Sequence, residues 1–399
     1  MIKQAISLLA QGLSPSATFA MSQRSNELRE QGIDIINLSV GEPDFNTPNN
    51  VKLAAFHAIE ENYSKYSPIT GFESLKKSIC DKLFRENNLS YMSSEIVVSN
   101  GAKQSIFNSI QALVNPGDEV IIPAPFWVSY PQMVKLVGGS PVYIDASMER
   151  RFKVTASQLE KAITKKTKLL ILCSPCNPTG AVYSAIELKE IAEVVLKHKN
   201  MYVISDEIYE HINYVGSHSS IAAIPGMKER TVVINGVSKA YAMTGWRIGF
   251  MAAPQWIVSA CNLIQGQTTS GPCSISQKAA EEAWRGNQES VESMRQAFEK
   301  RRDLIVQLMR EIPGLEINEP EGAFYLFPKC SSYIGKSYVK RKIASSSDLA
   351  MFLLEVGHVA TVGGDAFGAP GYLRLSFATS IENIRTGVER IKSALQLLS

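Results

Sequence analysis

The chain has 399 residues, 45% of them hydrophobic and 20% charged, a composition that supports a packed core and excludes a disordered protein. Forty-one Lys and Arg against 38 Asp and Glu leave a formal charge of +3, so no nucleic acid and no membrane surface is expected among its partners. No apolar run reaches the roughly 18 residues of a membrane span, and the N-terminus lacks a basic start followed by an apolar stretch, so the expected location is cytoplasmic.

Residues 1–47 read as an N-terminal arm and helix that lead into a loop and form part of a small domain. Over residues 48–290 short apolar runs alternate with helical periodicity. Strands are expected at Glu95–Ser99, Glu119–Ile122, Pro141–Ile144, Lys168–Cys173, Met201–Ser205, Thr231–Asn235 and Ile248–Ala252. Helices are expected at Ala102–Leu113, Ala185–Lys197 and about 255–265. This is the pattern of an α/β domain whose mostly parallel central sheet is flanked by helices. Residues 291–399 change character. A charged amphipathic helix through Met294–Arg310 precedes strands at Gly314–Ile317, Ala323–Phe327 and Leu373–Phe377, with helices at Ser346–Val356 and Ile381–Leu397, which predicts a smaller α+β domain. The basic runs at 300–302 and 340–342 are read as solvated faces.

Six cysteines, at 80, 173, 176, 261, 273 and 330, are sparse for this length and fit a reducing compartment. Cys173-Ser174-Pro175-Cys176 has the spacing of a redox dithiol or half a zinc site. No second such pair exists, and none of the five histidines is near it in sequence, so no metal is expected. The stretch is read as a strand end followed by the turn Asn177-Pro178-Thr179-Gly180.

In an open α/β sheet, ligands bind beyond the carboxyl ends of the strands. Four of those ends carry polar groups. Asn100-Gly101-Ala102-Lys103 opens a helix whose free N–H groups and dipole favour a phosphate. Asn177, Asp206 with Tyr209, and Ser238-Lys239 follow three further strands, so an amide, a carboxylate, a phenol and an amine line one edge of one sheet.

The run Gly236-Val237-Ser238-Lys239-Ala240-Tyr241-Ala242-Met243-Thr244-Gly245-Trp246-Arg247-Ile248-Gly249 resembles the pyridoxal-phosphate lysine signature of class I aminotransferases. Gly41-Glu42-Pro43-Asp44-Phe45, Asn177-Pro178-Thr179-Gly180 and Ser205-Asp206-Glu207-Ile208-Tyr209-Glu210 resemble the same family in order and spacing, so the likeness covers nearly the whole chain and is strongest to its Iβ, bacterial-type aspartate-specific subgroup. The resemblance implies a fold-type I enzyme with pyridoxal 5'-phosphate as cofactor. Lys239 would hold it as a Schiff base and then act as general base and acid. Asp206 would face the ring nitrogen, Asn177 and Tyr209 the ring hydroxyl, and Trp127 the ring plane. Arg247, Ser238 and the backbone of Gly101, Ala102 and Lys103 would hold the phosphate. Some relatives have serine three residues before the lysine, where this chain has Gly236.

The resemblance also assigns Arg374 to the substrate α-carboxylate, assisted by Gly41, Asn177 and Trp127, and Tyr66 to the phosphate of a neighbouring subunit, which implies a homodimer with shared sites. Lys103 matches a lysine that approaches the side-chain carboxylate. Ser14-Pro15-Ser16-Ala17-Thr18 matches a segment that closes over dicarboxylates. At Thr361-Val362-Gly363-Gly364 relatives often carry proline in the third place. The expected reaction is amino transfer between L-aspartate and 2-oxoglutarate. Other readings are an aminotransferase for prephenate and glutamate, alanine or aromatic amino acids, another fate of the same carbanion such as β-elimination, and a cofactor-binding sensor without turnover.

Overall fold

Leu169-Leu170-Ile171-Leu172 is apolar throughout because both faces of its strand are covered. Leu169 and Ile171 pack with Ile106, Ile110 and Ile257 from the helices Ala102–Leu113 and Gln255–Thr268. Leu170 and Leu172 pack on the other side with Leu188, Ile191 and Val195 from Ala185–Lys197. Each such side chain contributes about 1.5–3 kcal/mol when fully buried. The helix Ala185–Lys197 begins in register because Ser184 caps it, with the Glu187 carboxylate accepting from the Ser184 N–H at 2.8 Å.

The computed structural model describes residues 6–399, so the first five residues of the expected 1–47 arm lie outside the described residues. The central sheet contains β1 (Ile96–Ser99), β2 (Glu119–Ala124), β3 (Ser140–Asp145), β4 (Thr167–Cys173), β5 (Tyr202–Asp206), β6 (Thr231–Gly236) and β7 (Gly249–Ala252). In space the order is β1-β7-β6-β5-β4-β2-β3. β2 to β6 are parallel, and β7 opposes both its neighbours. This brings the start of β7 beside the end of β6, with Gly236 opposite Gly249, and so carries Arg247 to the Lys239 edge. All seven expected strands are present. The helices Asn49–Glu60, Glu73–Asn87 and Ser274–Arg285, unforeseen in the sequence, cover the β1, β6 and β7 region through Leu75, Ile79, Ala279 and Ala283.

A second apolar core joins the helices Ala17–Glu30, Glu289–Arg310, Ser346–Glu355 and Ile381–Gln396 to a three-stranded antiparallel sheet of Val362–Gly363, Leu373–Ser376 and Tyr325–Leu326. Ile36–Asn37 pairs in parallel with Val359–Ala360, which ties the N-terminal segment to this core. The expected strand Gly314–Ile317 does not form. Only Glu316 bridges, to Lys329, because Pro313 and Pro320 close off both ends. The expected Ala323–Phe327 shortens to Tyr325–Leu326, since Ala323 takes a left-handed φ of 55° and Pro328 follows. Among the described residues no helix is long and apolar enough to cross a membrane.

Candidate active site

A cavity of about 570 Å³ opens at the carboxyl ends of β2, β4, β5 and β6, where it meets the second core. Gly41, Ala102, Lys103, Trp127, Asn177, Asp206, Tyr209, Ser238, Lys239, Arg247 and Arg374 all line it, so the structure brings together the expected residues of one chain. Gly101 adjoins it through Arg247, as described below. Tyr66 is the exception. It is almost fully exposed and lies outside this cavity.

Lys239 follows the end of β6, and its Nζ donates to the Gly41 carbonyl at 2.7 Å. Burial pulls its amine down to about 8, opposed by Glu42 and reinforced by Arg247 and Arg374. Asp206 closes β5 and is buried. Burial pushes its carboxyl up to about 6 even though the Tyr130 hydroxyl donates to Oδ2 at 2.6 Å and the Ile208 N–H to Oδ1 at 3.3 Å. The Tyr209 and Tyr325 hydroxyls share a hydrogen bond of 2.8 Å.

Arg374, 2% exposed, sits in the middle of Leu373–Ser376. Its Nη1 donates to Asn177 Oδ1 at 3.0 Å and its Nη2 to the Ser39 carbonyl at 2.6 Å, while the Tyr325 and Phe367 rings flank the guanidinium at 4.6 and 4.9 Å. Its buried Nε has no partner among the described residues. An unsatisfied buried donor costs about 1–3 kcal/mol.

The opposite wall is a helix start. Gly101 precedes Ala102–Leu113 with φ 83° and ψ 159°, a conformation essentially reserved for glycine, and no side chain caps the helix. A Cβ at Gly101 would lie 2.3 Å from Arg247 Nη2. Arg247 itself is left-handed, at φ 56°, and is steadied by Nη1 donating to the Thr244 carbonyl at 2.8 Å and Nη2 to the Asn100 carbonyl at 3.3 Å. Thr244 in turn donates to Glu42. Lys103 lies in the first turn with its ammonium 4.9 Å from the Trp127 ring centre, and burial, then Arg247, lowers its pKa. Ser16 and Thr18 of the expected closing segment stand at the cavity wall, followed by Phe19.

Sequence reasoning missed Tyr130, Tyr325 and Ser39. Tyr130 lies three residues after Trp127, in the first turn of the helix Ser129–Leu136, and that spacing was a usable signal. Also missed was the network behind β5. Glu207 accepts from Ser205 at 2.8 Å and Ser220 at 2.6 Å, with His218 Nε2 3.0 Å from its other oxygen, and Glu210 pairs with Lys82 and accepts from Asn87 and Asn235 at 2.7 Å each. Glu207, Glu210 and His218 are close enough to surround an ion, but the Lys82 ammonium already occupies Glu210.

The doubly covered parallel sheet, with lysine, aspartate and a helix start converging at its carboxyl edge, defines a fold-type I transferase. The family model for aminotransferases of class I and II matches residues 33–391, and the chain belongs to that family. A probable aspartate/prephenate aminotransferase of Rickettsia bellii is 48% identical over 98% of each chain. Among solved structures, the aspartate aminotransferase of Rhizobium meliloti superposes with a TM-score of 0.95 at 42% identity over 99% of each chain. That of Thermus thermophilus with maleate gives 0.92 at 41% identity, over 98% of this chain and 99% of the other.

Proposed function

We propose that this aminotransferase moves the amino group between L-aspartate and 2-oxoglutarate, giving oxaloacetate and L-glutamate, with pyridoxal 5'-phosphate as cofactor. The observation that carries the reading is Arg374, a buried guanidinium in the lining of a cavity that Lys103 also lines. Two separated cations suit a substrate with two carboxylates. The Thermus neighbour holds maleate, a dicarboxylate, in accord with this. Prephenate also carries two carboxylates, and the Rickettsia relative is named for both substrates, so prephenate is the second reading.

The residues fit the cofactor. Arg247 and the uncapped start of Ala102–Leu113 suit its phosphate, with Ser238 alongside, and the space a Cβ would fill at Gly101 keeps Arg247 in place. Asp206, a buried carboxylate without a cation, suits its ring nitrogen. Asn177 and Tyr209 suit the ring hydroxyl, and Trp127 suits the ring face. When bound, the cofactor supplies an electrophilic carbonyl and a ring that accepts the electron pair released at the substrate Cα. Lys239 Nζ, lowered to about 8, is partly neutral near pH 7 and so able to take the proton from Cα and return it. Arg374 and Asn177 hold the α-carboxylate, Gly41 backs them, and Lys103 meets the distal carboxylate.

The two apolar cores support a division into an arm with part of a small domain (1–47), a large cofactor-binding domain (48–290) and a small C-terminal domain (291–399). Leu53, Phe56 and Ile59 form an exposed apolar stripe on Asn49–Glu60, which supports a homodimer in which Tyr66 serves the partner's site. Six free thiols support a cytoplasmic location. Purified protein is assayed with aspartate, alanine, phenylalanine and glutamate as donors against 2-oxoglutarate, oxaloacetate and prephenate. Transfer from aspartate to 2-oxoglutarate is expected to be fastest and to vanish in Lys239→Ala. No transfer with any pair, or full activity in that variant, defeats the proposal.

A further inference from the structure

Tyr325 belongs to the short strand Tyr325–Leu326 of the second core, yet its side chain lines the cavity beside residues delivered by the large sheet. A backbone seam fixes it against Tyr209. The Tyr214 N–H donates to the Glu321 carbonyl at 2.8 Å, the Ala323 N–H donates to the Ile212 carbonyl at 2.7 Å, and Asn213 bridges Gly322 between them. Next to this seam the Tyr209 and Tyr325 rings meet edge to face, their centres 5.8 Å apart and their planes at 79°, and the hydroxyls share the 2.8 Å hydrogen bond. The space the Tyr325 hydroxyl needs is left by Gly41, where a Cβ would collide with it. Among the described residues each hydroxyl has only the other as a partner. Two hydroxyls carry two protons, so one closes the pair and the other is left to reach outward. The cations nearby decide which. The Arg374 guanidinium stands 4.6 Å from the centre of the Tyr325 ring, whereas the Lys239 ammonium is 5.9 Å from that of Tyr209. Arginine also keeps its charge at every working pH, and a cation against a phenol ring strengthens its hydroxyl as a donor. Tyr325 is therefore the donor and Tyr209 the acceptor.

We propose that Tyr325 is a positioning residue for the cofactor: by donating to Tyr209 Oη it turns the Tyr209 proton outward, toward the ring hydroxyl of pyridoxal 5'-phosphate. The inference rests on the place given to Tyr209 under the proposed function and adds the group that sets the direction of its hydrogen bond. A hydroxyl that accepts one hydrogen bond is polarised and donates a stronger one, so Tyr325 also raises the strength of the Tyr209 donor. A donor at the ring oxygen draws charge from it and makes the bound cofactor harder to protonate.

Tyr325→Phe removes one oxygen and keeps the ring beside Arg374. Parent and variant are loaded with pyridoxal 5'-phosphate, and the absorbance of the bound cofactor is followed against pH. The midpoint is expected to rise by about half to one pH unit in Tyr325→Phe, the equivalent of one neutral hydrogen bond. In a Tyr209→Phe background the same substitution is expected to add nothing, because the group through which Tyr325 acts is gone. Tyr333→Phe removes a hydrogen-bonded hydroxyl from the same core outside the cavity and is expected to leave the midpoint in place. A midpoint that stays or falls in Tyr325→Phe, or a rise of equal size with and without the Tyr209 hydroxyl, overturns the proposal. A parent that shows no bound-cofactor absorbance defeats the cofactor reading itself, whereas a normal parent titration with an unmoved variant defeats this inference alone.

Discussion

Replacing Arg374 by lysine keeps the positive charge and removes the planar fork. In the parent, Nη1 and Nη2 are anchored at 3.0 Å on Asn177 and 2.6 Å on Ser39, and the flanking Tyr325 and Phe367 rings hold the guanidinium flat. An ammonium meets a carboxylate at one point and has no plane to stack. Loss of one charge-assisted hydrogen bond is worth about 1.5–3 kcal/mol. At about 1.4 kcal/mol per decade, that lowers kcat/KM by roughly 10- to 100-fold. The Ser39 carbonyl, on a residue with no exposed surface, loses its donor as well, which costs about 1–3 kcal/mol of stability. Steady-state kinetics with aspartate and with alanine as donors, alongside thermal unfolding, check the argument. Because the α-carboxylate is common to both donors, both are expected to fall by a similar factor. An Arg374→Lys variant that unfolds earlier yet keeps kcat/KM for both would show the guanidinium to be structural only.

Lys103→Ala is expected to raise KM for aspartate by about tenfold or more, from one lost charge-assisted contact, and to leave alanine nearly unchanged; equal losses for both donors remove its part in specificity. Gly101→Ala places a methyl group 2.3 Å from Arg247 Nη2 in a backbone conformation closed to alanine, so absorbance titration should find pyridoxal 5'-phosphate bound more weakly. Backbone strain of about 1–3 kcal/mol sets that loss at roughly tenfold or more, and unaltered affinity would count against the phosphate cradle. In cofactor-free protein, Asp206 has a folded pKa near 6 against an ordinary 3.8, so its contribution to stability is fully present below about 3.8 and is lost as pH rises through about 6. The stability of Asp206→Asn should therefore gain on that of the parent by roughly 3 kcal/mol as pH rises between those limits, whereas a gap that stays flat with pH would refute the burial argument.

The edge of the large sheet was legible because each functional group lies next to the strand that delivers it. Asn177 follows β4, Asp206 ends β5 and Lys239 follows β6, so finding the strands found the residues. The second core was less legible. Its strands pair over two to four residues, too short for alternation to define, and at Gly314–Ile317 the flanking prolines leave only the bridge from Glu316 to Lys329. The helix Ser274–Arg285 escaped notice because much of its buried face is polar: Gln277 is buried to accept from the Phe72 N–H and donate to the Pro272 carbonyl. Contacts between distant segments were invisible. Tyr209 and Tyr325 are 116 residues apart, and nothing local to either announces their hydrogen bond.

The segment from Ser205 to Glu210 places two residues at the cavity and anchors two others behind it. Asp206 and Tyr209 border the cavity, whereas Glu207 and Glu210 are held from behind by Ser205, Ser220, Lys82, Asn87 and Asn235. Burial acts on Asp206 and Glu210 alike and would raise both. For Glu210, Lys82 and then His211 and His218 more than offset it and hold the carboxyl well below its usual range. For Asp206, Lys239 is the last and smallest of the influences, so the carboxyl stays near 6. Two carboxylates four residues apart are thus driven in opposite directions by whether a cation stands beside them, the divergence expected when one is structural and the other is proposed to serve the site. The cation that Asp206 lacks within the protein is what a protonated ring nitrogen would bring to it.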